Sequence, residues 1–170
     1  MIYLALGSNL PSNHGSRFDN IDLAISLLKK NSIKVIKQSC YYETPSYPDK
    51  SKPKFINIVI SISTNLKPAQ LAKRTILVED FFHRKRNKKN EPRVCDVDII
   101  DYKNKVISFN CNKQKFIVPH KKITERNFVL IPLQEIARNW KHPKNHQHIA
   151  YLIDRLGPKD KKSILKVSKN

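Results

Sequence analysis

The chain has 170 residues, enough for one domain of ordinary size with a hydrophobic core. Its 33 lysines and arginines against 14 aspartates and glutamates give a formal net charge of +19, which favours polyanionic partners such as nucleic acid, nucleotides or phosphorylated metabolites. Hydrophobic residues make up 39% of the chain in runs far shorter than the roughly 20 residues of a membrane helix, so we expect no transmembrane segment.

The first residues and the cysteines both favour a cytoplasmic protein. Residues 1–7 are typical of a first strand and lack the basic leader and cleavage site of a signal peptide. Cys40, Cys95 and Cys111 are an odd, widely spaced set without a C-x-x-C motif. This pattern is evidence against a disulfide framework and against a zinc site, so free thiols are expected.

Alternation and helical spacing of apolar residues predict the elements of the first half of the chain. A strand precedes a turn at Gly7-Ser8-Asn9, and a loop with three prolines at 43–54 separates two later strands. Pro68 suits the first turn of a second helix. In chain order, the predicted strand, helix, strand, strand and helix are 2–6, 18–30, 33–42, 55–64 and 68–84.

The second half begins with a basic segment, 83–93, for which we expect a charged, mobile loop. A strand, a short extended segment and a helix are predicted after it, at 94–102, 116–120 and 128–137. The order βαββαβ predicts an α+β, ferredoxin-like sandwich with helices packed on one face of a mainly antiparallel sheet. We expect a single domain over 1–160 and a lysine-rich tail at 161–170, for which disorder is one alternative.

A pair of aspartates gives the strongest local signal for chemistry. Asp96 and Asp98 stand two apart on a predicted strand, so they project from one face with α-carbons roughly 7 Å apart. Mg²⁺ prefers hard oxygen ligands and is typically held by one or two carboxylates together with substrate phosphates. The pair therefore predicts a magnesium site, with a surface face neutralised by nearby lysines as the alternative.

Three arginines of the basic segment, Arg84, Arg86 and Arg93, precede the aspartates. Guanidinium groups bind phosphate oxygens in bidentate fashion and spread the charge of a phosphoryl-transfer transition state. We interpret them as phosphate ligands. A solvated loop without a ligand is the alternative, mainly for Lys88 and Lys89.

Two further groups of residues are candidates for a binding site. Thr44, Phe55 and Asn57 together offer a hydroxyl, an aromatic plate and an amide, which suits a flat heterocycle with donor and acceptor edges. His120 and Phe128 would each be structural if considered alone, and become candidates only in combination with the other motifs.

Six motifs, in this order and at similar spacings, resemble the 6-hydroxymethyl-7,8-dihydropterin pyrophosphokinase family. They are Gly7-Ser8-Asn9-Leu10, Thr44-Pro45, Phe55-Ile56-Asn57, Arg93-x-x-Asp96-x-Asp98-Ile99, Val118-Pro119-His120 and Arg126-x-Phe128-x-Leu130-x-Pro132-Leu133. The resemblance spans about residues 1–140, and the Arg-x-x-Asp-x-Asp-Ile block is its most specific part. It implies a ferredoxin-like fold and transfer of pyrophosphate from MgATP to the pterin hydroxymethyl group, with release of AMP, in folate synthesis.

The resemblance also implies residue roles. Asp96 and Asp98 would ligate two Mg²⁺ ions that bridge the ATP phosphates and, with Arg84, Arg86 and Arg93, would form the catalytic set. The pterin would be bound by Thr44, Pro45, Tyr47, Phe55, Asn57 and Phe128. ATP would be bound by Ile99, Lys115, His120 and Arg126. The implied partners are these two small molecules, which a monomer would bind. We expect no membrane partner and no nucleic-acid partner.

Two rival hypotheses remain open at this point. A ferredoxin-like sheet with a charge of +19 is compatible with an RNA-binding module, although the chain lacks the Gly-interleaved aromatic strand of such modules. An inactive homologue is the second rival, because residues 88–93 lack a tryptophan that the family often has there.

Overall fold

The protein is described by a computed structural model over residues 1–47, 49–82 and 92–169. Its strands are β1 Ile2–Ser8, β2 Lys34–Gln38, β3 Tyr41–Thr44, β4 Phe55–Ser63, β5 Asp96–Tyr102, β6 Ile107–Cys111, β7 Gln114–Val118 and β8 Leu165–Val167. Its α-helices are α1 Arg17–Lys30, α2 Pro68–Phe81, α3 Asn127–Ile136, α4 Ile149–Asp154 and α5 Pro158–Lys162. Together they form a mixed α/β fold.

The main sheet has six strands, and the pairings are antiparallel. The hydrogen-bonded order is β5-β1-β4-β3-β8, and β2 also pairs with β4. β1 and β4 therefore lie at the centre of the sheet. The hairpin β6-β7 forms a separate two-stranded sheet.

Helices cover both faces of this sheet. On one face, Leu4, Leu6 and Val97 pack against buried residues of α1 and α2. On the other face, Val59 and Ile100 pack against α3, α4 and Trp140. The prediction of helices on one face only is therefore wrong, because α3 covers the second face together with residues 139–156, for which the sequence pattern indicated no element.

Local chemistry explains where α1 begins. Asp19 accepts a hydrogen bond from the backbone N–H of Ser16 through Oδ2 at 2.8 Å, and the Ser16 side chain accepts one from the N–H of Asp19. This reciprocal capping box satisfies donors that the first helical turn leaves free. The helix then presents Ile21, Ala24 and Leu28 to the core.

Several predicted boundaries differ from the structure. The single strand predicted at 33–42 is two strands, because Ser39 turns inward and bonds to the backbone of Val59 through both its N–H and its hydroxyl. The second helix ends at Phe81, three residues before the predicted end. The tail 161–170 contains β8, which pairs with β3.

Three further observations bear on the sequence-based expectations. Among the described residues, Cys40, Cys95 and Cys111 form no disulfide. Over residues 1–47, 49–82 and 92–169, we find no helix that combines the length and the apolar character needed to cross a bilayer. Most of the basic segment 83–93, including Arg84 and Arg86, lies outside the described residues.

Candidate active site

The candidate site is built where β1 ends and β4 and β5 begin. Gly7, near the end of β1, pairs with Asn57 of β4 on one side and with Asp96 of β5 on the other. A β-carbon at position 7 would stand 3.2 Å from Oδ1 of Asn57 and 3.6 Å from the Phe55 ring. A side chain at position 7 would therefore crowd the Asn57 amide, and glycine avoids this contact.

Asp96 and Asp98 project from the sheet face that carries α3, as the alternation predicts. Asp96 accepts a hydrogen bond from Nη1 of Arg93 at 2.9 Å, and Asp98 accepts one from Nη1 of Arg126 at 3.0 Å. Val97, between them, is buried in the core on the other face. The counter-charges that the structure places on the two carboxylates are thus arginines that also belong to the predicted site.

Glu79 fixes the strand between the two aspartates. This glutamate is buried on α2, and its Oε1 accepts a hydrogen bond from the backbone N–H of Val97 at 2.9 Å. The peptide that joins Asp96 to Asp98 is thereby tied to the helix below it. Sequence reasoning assigned Glu79 no physical role, because the contact joins residues 18 positions apart.

The residues predicted to recognise a flat heterocycle lie together. Asn57 donates from Nδ2 to Oγ1 of Thr44 at 2.9 Å, and both side chains are buried. Thr44 pairs across the sheet with Phe55, which is half-buried. One amide, one hydroxyl and one aromatic face therefore meet beside Gly7.

Each site aromatic is linked to one site aspartate through an arginine. The guanidinium carbon of Arg93 lies 5.8 Å from the centroid of the Phe55 ring, and that of Arg126 lies 5.4 Å from the centroid of Phe128. Both distances are within the range of a cation–π contact. The site thus consists of two Phe–Arg–Asp units, one from β4 and β5 and one from α3 and β5.

Arg93 retains donor capacity. Among the residues that the structure describes, its buried Nε atom has no hydrogen-bond partner, although Nη1 is bonded to Asp96. A buried guanidinium nitrogen without a partner is costly unless a ligand completes its bonding. Phosphate oxygens suit such a donor.

His120 lies next to the aspartates and is held as a neutral ring. Burial lowers the pKa of His120 below its usual value, against the opposing charges of Asp98 and Asp96. Its Nδ1 accepts the backbone N–H of Lys122 at 3.2 Å, which assigns the ring proton to Nε2. His120 can therefore donate one hydrogen bond without adding a positive charge.

Other predicted site residues lie further from this group. Ile99 is buried among the core residues on the opposite face of the sheet from the aspartates. Lys115 is exposed on β7 in the separate hairpin, and Tyr47 is 82% exposed in the proline loop, where Pro45 is half-buried. Arg84 and Arg86 lie outside the described residues.

Asn9 is the main site-forming residue whose role the sequence did not indicate. Its side chain is buried, accepts the backbone N–H of Arg93 at 2.7 Å, and donates to the carbonyl of Pro53 at 3.0 Å and to Oγ of Ser46 at 3.3 Å. Its own N–H donates to the Arg93 carbonyl at 3.1 Å. Asn9 thereby joins the turn after β1, the proline loop and the backbone of Arg93.

We expect Asn9→Ala to lower the free energy of unfolding by about 1–3 kcal/mol, since it leaves buried backbone partners unsatisfied. Urea denaturation of both proteins would measure this loss. Asn13→Ala, which changes an exposed asparagine in the neighbouring turn between Ser12 and Gly15, is the matched control and should change nothing. Equal midpoints for the Asn9 variant and the unaltered protein would show that this residue does not hold the loops together.

The donor set of the aspartate pair fits Mg²⁺. Two carboxylates from one strand face leave the remaining coordination positions to water and to phosphate oxygens of a substrate, which is how this ion is usually held. Both carboxylates are partly exposed, with side-chain exposures of 23% for Asp96 and 35% for Asp98, so a hydrated ion can reach them.

One protein family and several of its members are similar to this chain in sequence. The model of one family, described as 7,8-dihydro-6-hydroxymethylpterin-pyrophosphokinase (HPPK), matches residues 3–138. The 2-amino-4-hydroxy-6-hydroxymethyldihydropteridine pyrophosphokinase of Bacillus subtilis is 34% identical over 137 residues, covering 80% of this chain and 77% of the relative. The enzyme of the same name from Methylorubrum extorquens is 33% identical over 136 residues, covering 79% of this chain and 81% of the relative.

Longer relatives and solved structures extend the comparison. The Folic acid synthesis protein fol1 of Pneumocystis carinii is 35% identical over 164 residues, covering 96% of this chain. The chain spans about a fifth (21%) of that relative's length and of the length of the similar protein from Dictyostelium discoideum. A crystal structure of Plasmodium falciparum HPPK-DHPS A437G with pteroate has a TM-score of 0.77 at 14% identity, covering 99% of this chain and 46% of that chain, which shows a shared fold.

Proposed function

Because the chain belongs to the 7,8-dihydro-6-hydroxymethylpterin-pyrophosphokinase family, we propose that it transfers pyrophosphate from ATP to the hydroxymethyl group of 6-hydroxymethyl-7,8-dihydropterin and releases AMP, a step of folate synthesis. The observation that carries the proposal is the pair of Phe–Arg–Asp units around Gly7. Each unit combines an aromatic ring for stacking, a guanidinium group that can donate hydrogen bonds to phosphate, and a carboxylate. These are the groups that this reaction requires.

The pterin lies between Phe55 and Phe128 in this proposal, and its polar edge meets Thr44 and Asn57. The hydrogen bond between Thr44 and Asn57 holds both side chains in place before the ligand arrives, which reduces the entropy lost on binding. Pro45 and Tyr47 complete this end of the site.

ATP is placed on the arginine side. We assign its phosphates to Arg93, Arg126 and His120, with Arg84 and Arg86 of the basic segment as further ligands. Arg93 supports this assignment because its buried Nε has no partner among the described residues. Ile99 and Lys115 remain assigned to the nucleotide by resemblance to the family.

The reaction in this scheme is an in-line attack of the hydroxymethyl oxygen on the β-phosphorus of ATP. The bond from the β-phosphorus to the α–β bridging oxygen breaks, AMP leaves with that oxygen, and the hydroxyl proton passes to solvent. Arg93 and Arg126 exchange their carboxylate partners for phosphate oxygens, which stabilises the charge that develops there. This exchange also exposes the oxygens of Asp96 and Asp98. His120 can donate to a phosphate oxygen from Nε2, because its Nδ1 accepts the backbone N–H of Lys122. The aromatic plates orient the hydroxymethyl group.

Mg²⁺, which we assign to Asp96 and Asp98 as two ions, would polarise the transferred phosphates and neutralise part of their charge. We expect an excess of chelator to stop AMP formation and added Mg²⁺ to restore it. The same assay on heat-inactivated protein provides the blank. Full turnover in the presence of chelator would contradict the assignment of a metal to the aspartates.

We further propose a ferredoxin-like arrangement for the sheet. The strand order β5-β1-β4-β3, with α1 between β1 and β2 and α2 between β4 and β5, supports it. Residues 1–160 are proposed to form a single domain that acts as a monomer on small-molecule substrates. We also propose a cytoplasmic location, which the odd number and wide spacing of the cysteines support.

The rival of an RNA-binding module has less support. Modules of this kind stack bases on an open face of the sheet. In the described chain, α1 and α2 cover one face of the sheet, while α3 and α4 cover the other. The net charge of +19 is therefore better explained by phosphate-bearing small molecules at the strand ends.

The decisive experiment mixes the protein with MgATP and 6-hydroxymethyl-7,8-dihydropterin and identifies the nucleotide product. AMP formed in equal amount to the pyrophosphorylated pterin is expected. ADP as the product would mean a different kinase chemistry, and no product would favour the hypothesis of an inactive homologue.

A further inference from the structure

The end of the chain contacts the site from outside the family match. The match stops at residue 138, whereas α5 and its following residue reach back to the first residue of α3. Asn127 donates from Nδ2 to the carbonyl of Asp160 at 2.6 Å and to Oγ of Ser163 at 3.0 Å. Ser163 in turn donates to the same carbonyl at 2.9 Å. The two bonds from Asn127 fasten the start of α3 to this terminal segment, and the third holds the Ser163 hydroxyl in place.

Asn127 stands between two residues of the proposed site. Its Oδ1 accepts the backbone N–H of Phe128 at 2.7 Å, and only 9% of the residue is exposed. On its other side, Arg126 bonds to Asp98 at 3.0 Å, so that side chain has its own anchor on the sheet. The Phe128 ring packs against the core cluster beneath α3 and contacts Arg126, and Asn127 holds the backbone N–H from which this side chain projects.

The same terminal segment also reaches the opposite wall of the pterin site. β8 pairs with β3 so that Leu165 lies opposite Glu43, the residue before Thr44. Lys166 lies 3.7 Å from a carboxylate oxygen of Glu135 on α3, and that carboxylate also accepts the Tyr42 hydroxyl at 3.0 Å. The terminal segment therefore connects α3, which carries Phe128, to β3, which carries Thr44.

We propose that residues 157–169 form a brace that sets the distance between the two walls of the pterin site, and that Asn127 is a positioning residue for Phe128. The proposal rests on the function proposed above. A heterocycle held between two rings requires both rings at van der Waals contact, and a misplacement of about 1 Å weakens binding and orientation. A hydrogen-bonded strut between the walls provides that precision better than a free helix end.

The kinetic test compares Asn127→Ala and Ser163→Ala with Ser168→Ala, an exposed serine of the same segment and the matched control. We expect the KM for the pterin to rise about fivefold in Asn127→Ala, the ratio typical of losing a neutral hydrogen bond. The KM for ATP and kcat at saturation should change less than about twofold, since Asp98 and not Asn127 holds the Arg126 side chain in the free protein. Ser163→Ala should also raise the KM for the pterin. Ser163→Thr, which retains the hydroxyl, should return this KM to the value of the unaltered protein.

A second measurement does not depend on activity. Amide hydrogen exchange in the free protein should be faster at residues 126–130 in both brace variants than in Ser168→Ala. Unchanged exchange there, or equal rises in both KM values, would overturn the brace. If the unaltered chain makes no AMP, the proposed function fails, and the exchange measurement still decides whether the brace exists.

Discussion

Replacing either site aspartate by alanine is expected to reduce turnover by about 10²–10³-fold, the usual effect of removing one preorganised electrostatic partner at a reacting phosphate. Each variant removes a carboxylate that bonds to an arginine in the free protein and that we assign to Mg²⁺ during the reaction. Asp96→Ala releases Arg93, and Asp98→Ala releases Arg126. Steady-state assays of AMP release at saturating MgATP measure the loss.

The fold should survive these substitutions, because both aspartates are partly exposed and their ion pairs contribute little to stability. Thermal unfolding should therefore show similar midpoints for all variants. Asp154→Ala is the matched control, since this carboxylate lies on α4 with 88% of its side chain exposed. Near-normal turnover in both site variants would rule out the aspartate pair as the metal site.

Truncating either aromatic plate is expected to weaken pterin binding by roughly tenfold or more while leaving ATP binding nearly unchanged. A stacked ring contributes about 0.5–1.5 kcal/mol beyond the area it buries, and the buried area adds to that. Phe55→Ala and Phe128→Ala each remove one side of the proposed sandwich. Titration calorimetry with the pterin, and separately with a non-hydrolysable MgATP analogue, measures the two affinities.

A control is needed because any loss of an aromatic ring can destabilise a protein. Phe18→Ala removes a ring of α1 that packs edge-on against Tyr41 with centroids 5.1 Å apart, in the core on the sheet face opposite the aspartates. It should affect stability and leave both affinities unchanged. Equal losses of pterin and ATP affinity in the Phe55 and Phe128 variants would contradict the sandwich.

The elements that position the site were largely predictable from the sequence, for physical reasons. The alternation of apolar and polar side chains indicates a strand, and residues two apart on a strand share a face. The common face of Asp96 and Asp98 therefore follows from their spacing. The hydrogen bond between Asn57 and Thr44 was not predictable in detail, although the two residues were grouped as one candidate.

The contacts that could not be predicted from the sequence are those between distant parts of the chain. Asn9 bonds to the backbone of Arg93 across 84 positions, and a buried asparagine in a turn has no pattern that names its partner. Residues 139–156, which cover the second face of the sheet together with α3, were missed because α4 has only six residues, too few to show a helical period. The same applies to β8, a strand of three residues.

The burial of β4 on both faces also has a consequence for synthesis in the cell. Eight of its nine residues have apolar or small side chains, and seven residues in a row are buried in the finished fold. One face of β4 stays uncovered until α3 and α4 have been synthesised. These helices leave the ribosome roughly 60–90 residues after β4, which takes about 3–20 s at ordinary elongation rates. During that interval, the most apolar strand of the nascent chain has one face uncovered, and a chaperone that binds extended apolar segments would find its target there.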